Sequence, residues 1–301
     1  MSKMRLQPSN FIRIFKILRS TRSFYLAKKS FRGGVSKSIL NFILMGGSFS
    51  FGESGQCVGV FKNQSIDLDR MLGKEFHILE SLEAIEFAGW SLMIEEDGDI
   101  ILKKDQRAIR FNLYDSVLNM LECFIEYECL RVKGATVIDI GAFKGESALF
   151  FWGKGANKVL AFEPFPDFYK QAVANIRKNG LSEIIKVFNT GVGNQVYRFE
   201  DNNCTGSLLS INDIKKLILE NKLEGGDVVL KIDCEGCEYD LYRDPKSVMD
   251  WKSIGIKEFV MEYHEGGEIF SLIKNWRASG YNVYRVLKKN SIVGIIYGYI
   301  E

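Results

Sequence analysis

Apolar positions follow one rhythm in the first part of this chain and another after residue 135. In NFIRIFKILRS (10–20), Phe11, Ile14, Phe15 and Leu18 recur at helical spacing while Arg13, Lys16 and Arg19 take the opposite side of the wheel. That pattern predicts an amphipathic helix. Residues 33–52, rich in Gly, Ser and Phe, show no period and read as a loop. LDRMLGKEFHILESLEAIEF, which ends before Gly89, reads as helical. SLMIEEDGDIILKK (91–104) holds two β-prone runs joined through Asp97-Gly98, a hairpin signal. A further helix is expected over YDSVLNMLECFIEYECL (114–130), before the turn at Lys133-Gly134.

From Ala135 onward short apolar runs alternate with amphipathic stretches, the texture of a parallel α/β sheet. TVIDIGA, KVLAFEP, IIKVFNTGV, VVLKIDCEG and IKEFVMEYH read as five strands. Helices are expected at GESALFFWGKG, DFYKQAVANIRKNG, 212–222 and EIFSLIKNWRASG, and NVYRVLKKNSIVGIIYGYI reads as two final strands. The expected organisation is a basic arm at 1–37, a small α+β cap region at 38–113 and an α/β domain at 114–301.

Charge sharpens that division. The net charge of +2 comes from 40 Lys and Arg against 38 Asp and Glu, yet no acid precedes Glu53 and residues 1–37 hold ten bases. Without the arm, 30 bases face 38 acids, so a basic segment is attached to an acidic body. Such an arm suits phosphates of RNA or an anionic membrane surface, against the plainer reading of a solvated helix packed on the body. Only His77 and His264 are histidines, which excludes a His-rich metal site. The six cysteines are scattered, and the expectation is reduced thiols in a cytoplasmic protein. No apolar run reaches the length of a spanning helix. Cys234-x-x-Cys237 lacks the second pair a zinc site needs and reads as packing thiols.

The strongest chemical signal is Val137-Ile138-Asp139-Ile140-Gly141-Ala142-Phe143-Lys144-Gly145. A buried strand ends in an acid and a glycine turn, and a helix begins after the second glycine. Glycines here admit a ligand to the backbone and let the helix pack close to the strand. The next strand ends in Glu163, where an acid can accept hydrogen bonds from ribose hydroxyls. Phe143 and Glu146 break the three-glycine fingerprint of nicotinamide dinucleotide sites.

The D-x-G-x-x-x-G loop resembles that of class I S-adenosylmethionine (SAM)-dependent methyltransferases. With Leu230-Lys231-Ile232-Asp233-Cys234-Glu235-Gly236-Cys237-Glu238, it resembles the FkbM family, whose fourth-strand signature reads approximately L-K-I-D-x-E-G-x-E. The resemblance runs from about Lys133 to Glu262, includes AFEPFP and the pair Asn175 and Asn179, and thins out over residues 1–105. It implies a doubly wound, seven-stranded Rossmann-like methyltransferase sheet, with the α+β region as an N-terminal extension. It also implies SAM as cofactor and O-methylation of a hydroxyl on a sugar, glycan or other small metabolite. Carried over by position, Asp139 orders the loop and holds the amino acid end of SAM. Gly141, Ala142 and Gly145 admit the cofactor, Glu163 with Pro164 binds the ribose, and Asp233 lies beside sulfonium and acceptor. Asn189 and Thr190 stand where many relatives present an acid to adenine.

A sugar hydroxyl is a weak nucleophile, so a base or a metal would help its attack. Asp233, Glu235, Glu238, Glu262 and His264 are the candidates, and Glu235 and Glu238 read equally as braces of the following helix. A divalent metal on Asp233, Glu235 and Glu262 has suitable hard ligands but is not the favoured reading. An RNA methyltransferase using the basic arm is the alternative; the absence of a [DNS]-P-P-[YF] tetrad after the fourth strand speaks for oxygen over base nitrogen.

Overall fold

In a computed structural model, the described residues are 48–51, 57–61, 64–67, 85, 88–94, 99–112, 120, 123–124, 126–193, 208–220, 226–242, 245–264, 269–288 and 293–301. The basic arm, most of the helix expected before Gly89 and much of the one expected over 114–130 lie outside them. Two compact units divide the chain, one covering residues 1–103 and 112–124 and the other 104–111 and 125–301.

In the first unit, β1 (Ser48–Phe51), β2 (Cys57–Phe61) and β3 (Gln64–Asp67) form an antiparallel sheet in that order. Ser48–Phe51 was expected to be loop. Its S-F-S-F alternation is a strand pattern too short to stand out, and it is pinned by register to β2, Phe51 opposite Cys57. The expected hairpin is present as β4 (Ser91–Ile94) and β5 (Asp99–Lys104), with Ile94 opposite Ile100.

The second unit begins with β6 (Arg107–Asn112). It continues with β7 (Thr136–Ile140), α1 (Glu146–Gly153), β8 (Lys158–Phe162), α2 (Pro166–Lys178), β9 (Ile185–Phe188) and β10 (Gly191–Val192). Next come β11 (Leu208–Leu209), α3 (Ile211–Glu220), β12 (Val228–Ile232), α4 (Cys237–Leu241), α5 (Pro245–Ser253) and β13 (Ile256–Tyr263). The unit closes with α6 (Ile269–Ala278), β14 (Asn282–Lys288) and β15 (Gly294–Tyr299). Every strand and helix expected from Ala135 onward has its counterpart. Helices α4 and α5 were not anticipated.

Seven strands form one sheet in the order β14-β15-β13-β12-β7-β8-β9. Six share one direction, and β15 alone runs against them, antiparallel to both β13 and β14. This is the doubly wound sheet implied by the motifs. β7 and β12 are buried along their whole length, which is why both read as unbroken apolar runs rather than alternating ones. The chain moves outward from β7 to β9 and then returns to lay β12 on β7's other side. That reversal opens a crevice at the carboxyl ends of β7 and β12, the place where such sheets bind ligands. Behind it an aromatic cluster anchors the sheet: Phe259 stacks on Trp276 at 3.9 Å, and Trp276 meets Tyr242 and Tyr281 at 4.9 and 4.8 Å.

Candidate active site

Parallel register sets Asp139 on β7 directly beside Lys231 on β12. Both side chains are out of water, and Lys231 Nζ lies 3.2 Å from Asp139 Oδ1. Lys231 also donates to the carbonyl of Gly141 at 2.6 Å, while Ser147 at the start of α1 donates to Asp139 Oδ2 at 2.6 Å. Burial pushes the Asp139 carboxyl above its usual range, against the opposing pull of Lys231 and Ser147. Asp139 thus ties β7, β12 and α1 together beneath the glycine turn.

The turn is tight for a reason within the protein. Gly141 has φ +78°, and a Cβ there would stand 1.7 Å from the Asp233 carbonyl oxygen. Gly145, at φ +86°, caps α1 and would place its Cβ 3.4 Å from Ala172 on α2. Chain-on-chain packing therefore demands Gly141, and at Gly145 the positive φ favours glycine. Ala142 is buried, and Phe143 takes a left-handed φ of +48°. That conformation aims the Phe143 amide at Glu163.

Glu163 follows β8 and is buried; its Oε2 accepts from Phe143 N at 2.8 Å and its Oε1 from Phe165 N at 2.9 Å. Burial raises its pKa to about 7, although those two amides pull the other way. The acid at the end of the second strand and the glycine turn are one hydrogen-bonded unit. Asn189, after β9, donates to the carbonyls of Glu163 and Pro164 at 3.0 and 3.2 Å, so its amide braces the loop after β8. Beyond Asn189 a cleft of about 460 Å³ is lined by Phe188, Asn189, Leu209, Asp213 and Leu217. Phe188, Leu209 and Leu217 give it apolar surface against which a planar heterocycle could lie, beside the polar groups of Asn189, Thr190 and Asp213, and the residues present fit SAM.

Around the other end of the crevice, acids converge on one imidazole. His264 follows β13, and its Nδ1 donates to Glu238 Oε1 at 3.1 Å, as does its backbone N at 2.9 Å. Nε2 faces Glu235 Oε2 at 3.4 Å and both Asp233 Oδ1 and Glu262 Oε1 at 3.8 Å. Burial alone would lower the His264 pKa, but the hydrogen bond to Glu238 and the charges of Glu238, Glu235 and Asp233 raise it to about 9. Ligand atoms of Asp233, Glu262 and His264 lie within 4.8 Å of one another, a spacing that a hard divalent cation could bridge. The imidazolium fills the same electrostatic place.

All the residues singled out from the sequence gather at the carboxyl ends of β7, β8, β9, β12 and β13, in two groups. Asp139, Gly141, Ala142, Gly145, Glu163, Pro164 and Asn189 surround the turn, and Glu235, Glu262 and His264 form the acid–imidazole group. Asp233 belongs to both, as Lys231 Nζ lies 3.9 Å from its Oδ2. Glu238 is a brace: fully buried, it also accepts from Gly236 N at 2.9 Å. Lys231 and Tyr127 were missed. Lys231 had a signal, a lone base inside the apolar strand VVLKI. Tyr127 had none, and its hydroxyl donates to Asp233 Oδ2 at 2.9 Å.

The thiol expectation fails at Cys234 and Cys237, which are joined in a disulfide with Cα atoms 5.5 Å apart. Glu235 and Gly236 between them have φ of +54° and +118°, and this sharp turn brings the two within bridging distance. Spacing alone does not reveal such a turn.

No protein-family model matches the chain, and no curated protein is similar in sequence at significance. Solved structures superpose on parts of it. A protein of the NADB-Rossmann superfamily from Streptococcus agalactiae has 13% identity and a TM-score of 0.36, over 57% of this chain and 64% of its own. The chain therefore spans less than two thirds of that structure. A SAM-dependent methyltransferase from Aquifex aeolicus shows 16% identity and a TM-score of 0.34, over 57% and 85% of the two chains. A candidate tRNA methyltransferase of Streptococcus pneumoniae, in complex with SAM, shows 14% identity and a TM-score of 0.36, over 56% and 67%. No described helix is long and apolar enough to cross a membrane.

Proposed function

We propose that this chain is a SAM-dependent methyltransferase that transfers the methyl group to a hydroxyl oxygen of a sugar, glycan or other small metabolite. The observation that carries the reading is the union of Glu163 with the glycine turn through the Phe143 amide. Each Glu163 oxygen takes one backbone N–H and keeps a lone pair for a ribose hydroxyl. The motif resemblance to the FkbM family supports oxygen as the atom methylated.

Bound with its ribose on Glu163, SAM supplies an electrophilic methyl group. The chain's own part is to hold the acceptor in line, exclude water and receive a proton. Tyr127 fixes Asp233 through Oδ2, leaving Oδ1 turned to His264. An acceptor hydroxyl seated beside His264 Nε2 gives its one proton to the neutral imidazole, and Asp233 Oδ1, 3.8 Å from that nitrogen, stabilises the charge that forms. Glu238 holds the ring through Nδ1, and Glu262 and Glu235 stabilise the imidazolium so formed.

The test is an acceptor screen with methyl-tritiated SAM, offering sugars, glycolipid-type glycans and total RNA, with full-length chain and with residues 1–37 removed. Label on a hydroxylated small molecule from both forms supports the reading. Label on RNA that depends on residues 1–37 would replace it with the nucleic-acid alternative.

A further inference from the structure

The Cys234–Cys237 bridge closes the loop that carries Glu235 and is flanked by Asp233 and Glu238, so it sits inside the acid–imidazole group. Cys234 Sγ lies 3.4 Å from Oε2 of the fully buried Glu238. What that contact does depends on the sulfur's state. A disulfide sulfur has no hydrogen, so the carboxylate oxygen meets another lone-pair atom; a thiol at the same place donates an S–H···O bond. We propose that Cys234–Cys237 is a reversible redox site, opened by a dithiol reductant, that sets how firmly Glu238 holds the His264 ring.

The exchange is balanced. A thiolate of the reductant attacks Sγ of Cys234, the less buried of the two residues, and the S–S bond breaks with Cys237 leaving as a thiolate that takes up a proton. The reductant's second thiol loses its proton and attacks the reductant's own sulfur in the mixed disulfide, expelling Cys234 as a thiolate that is protonated in turn. Two electrons and two protons pass to the protein, which gains two thiols, and the reductant leaves as its disulfide.

Among the described residues of the oxidised chain Glu238 has three donors, Gly236 N, His264 N and His264 Nδ1. Reduction adds Cys234 as a fourth, spreads the carboxylate's charge and weakens its grip on Nδ1. It also frees the turn at Glu235 and Gly236 from covalent closure. Among the described residues, the other groups facing His264 are Asp233 from the end of β12, Glu235 from the loop, Glu262 from β13, and Tyr239 from α4, whose hydroxyl donates to the His264 carbonyl. Bound cofactor plays no part in this coupling, so its test stands apart from the methyltransferase reading.

With only two histidines in the chain, ring-nitrogen NMR on the full-length protein resolves both, and a His77→Gln variant assigns His264. Spectra are recorded at one fixed pH after treatment with diamide and then dithiothreitol, with thiols counted by alkylation and mass spectrometry. The expected result is that Cys234 and Cys237 are blocked after diamide and alkylated after dithiothreitol. The His264 Nδ1 resonance should shift reversibly on reduction as its hydrogen bond to Glu238 loosens. Cys237→Ser, which keeps Cys234 as a thiol, should show the reduced spectrum under both treatments. Two thiols that never close under diamide, or a wild-type bridge that opens without moving His264, would overturn the proposal, and neither outcome depends on a variant folding.

Discussion

Lys231 and Asp139 stand side by side on adjacent parallel strands, 3.2 Å apart and both withdrawn from water. A buried pair of this kind is costly to break from one side, because the survivor keeps its charge without a counterion. Lys231 also donates to the Gly141 carbonyl, so the pair holds up the glycine turn as well as joining β7 to β12.

Lys231→Met should therefore destabilise the fold by about 3–5 kcal/mol, the range for removing one partner of a buried ion pair. Urea unfolding followed by tryptophan fluorescence would measure it. A loss below about 1 kcal/mol would mean that the pair is not structural.

Gly141→Ala should be more damaging than its chemistry suggests, since the new Cβ would fall 1.7 Å from the Asp233 carbonyl at a φ of +78°. β7 and β12 would have to separate, at a cost of at least about 2 kcal/mol. Gly236→Ala meets no atom within 4 Å and bears only the strain of its positive φ. Thermal unfolding should rank the two variants in that order.

SAM affinity should fall with acidification through about pH 7, the raised pKa of Glu163. A ribose diol donates to the ionised carboxylate, and protonation replaces an acceptor with a donor. Calorimetric titrations at pH 6 and pH 8 should show the tighter binding at pH 8, and Glu163→Gln should remove the difference.

His264, whose folded pKa of about 9 stands above its ordinary 6.5, contributes stability that is whole below pH 6.5 and fades as pH rises through 9. As the proton acceptor it works only when neutral, so methyl transfer should quicken with pH up to about 9. His264→Ala should lose that slope, and most of the rate, with SAM affinity retained.

The α/β half was legible because its central strands β7 and β12 are buried on both faces and its helices carry apolar stripes, as at Leu272 and Trp276 on α6. Helix α4 escaped notice because five residues give no period, and β1 because four do not. Asp139, Glu163 and Asp233 could be placed from sequence since strand ends in such sheets converge. Tyr127 and the Cys234–Cys237 bridge could not, as each depends on a tertiary approach that leaves no periodic trace. Lys231 was readable and went unread, its charge hidden by the apolar run around it.

The glycine turn and Glu163 together make the proposed SAM site. Its most direct test is isothermal titration of SAM into the full-length chain and into Glu163→Ala at pH 8. Saturable one-to-one binding to the wild type, weakened at least about tenfold in the variant through loss of the ribose hydrogen bonds, is the predicted result. A folded wild-type chain that gives no heat with SAM, or a variant that binds as tightly as the wild type, would contradict it.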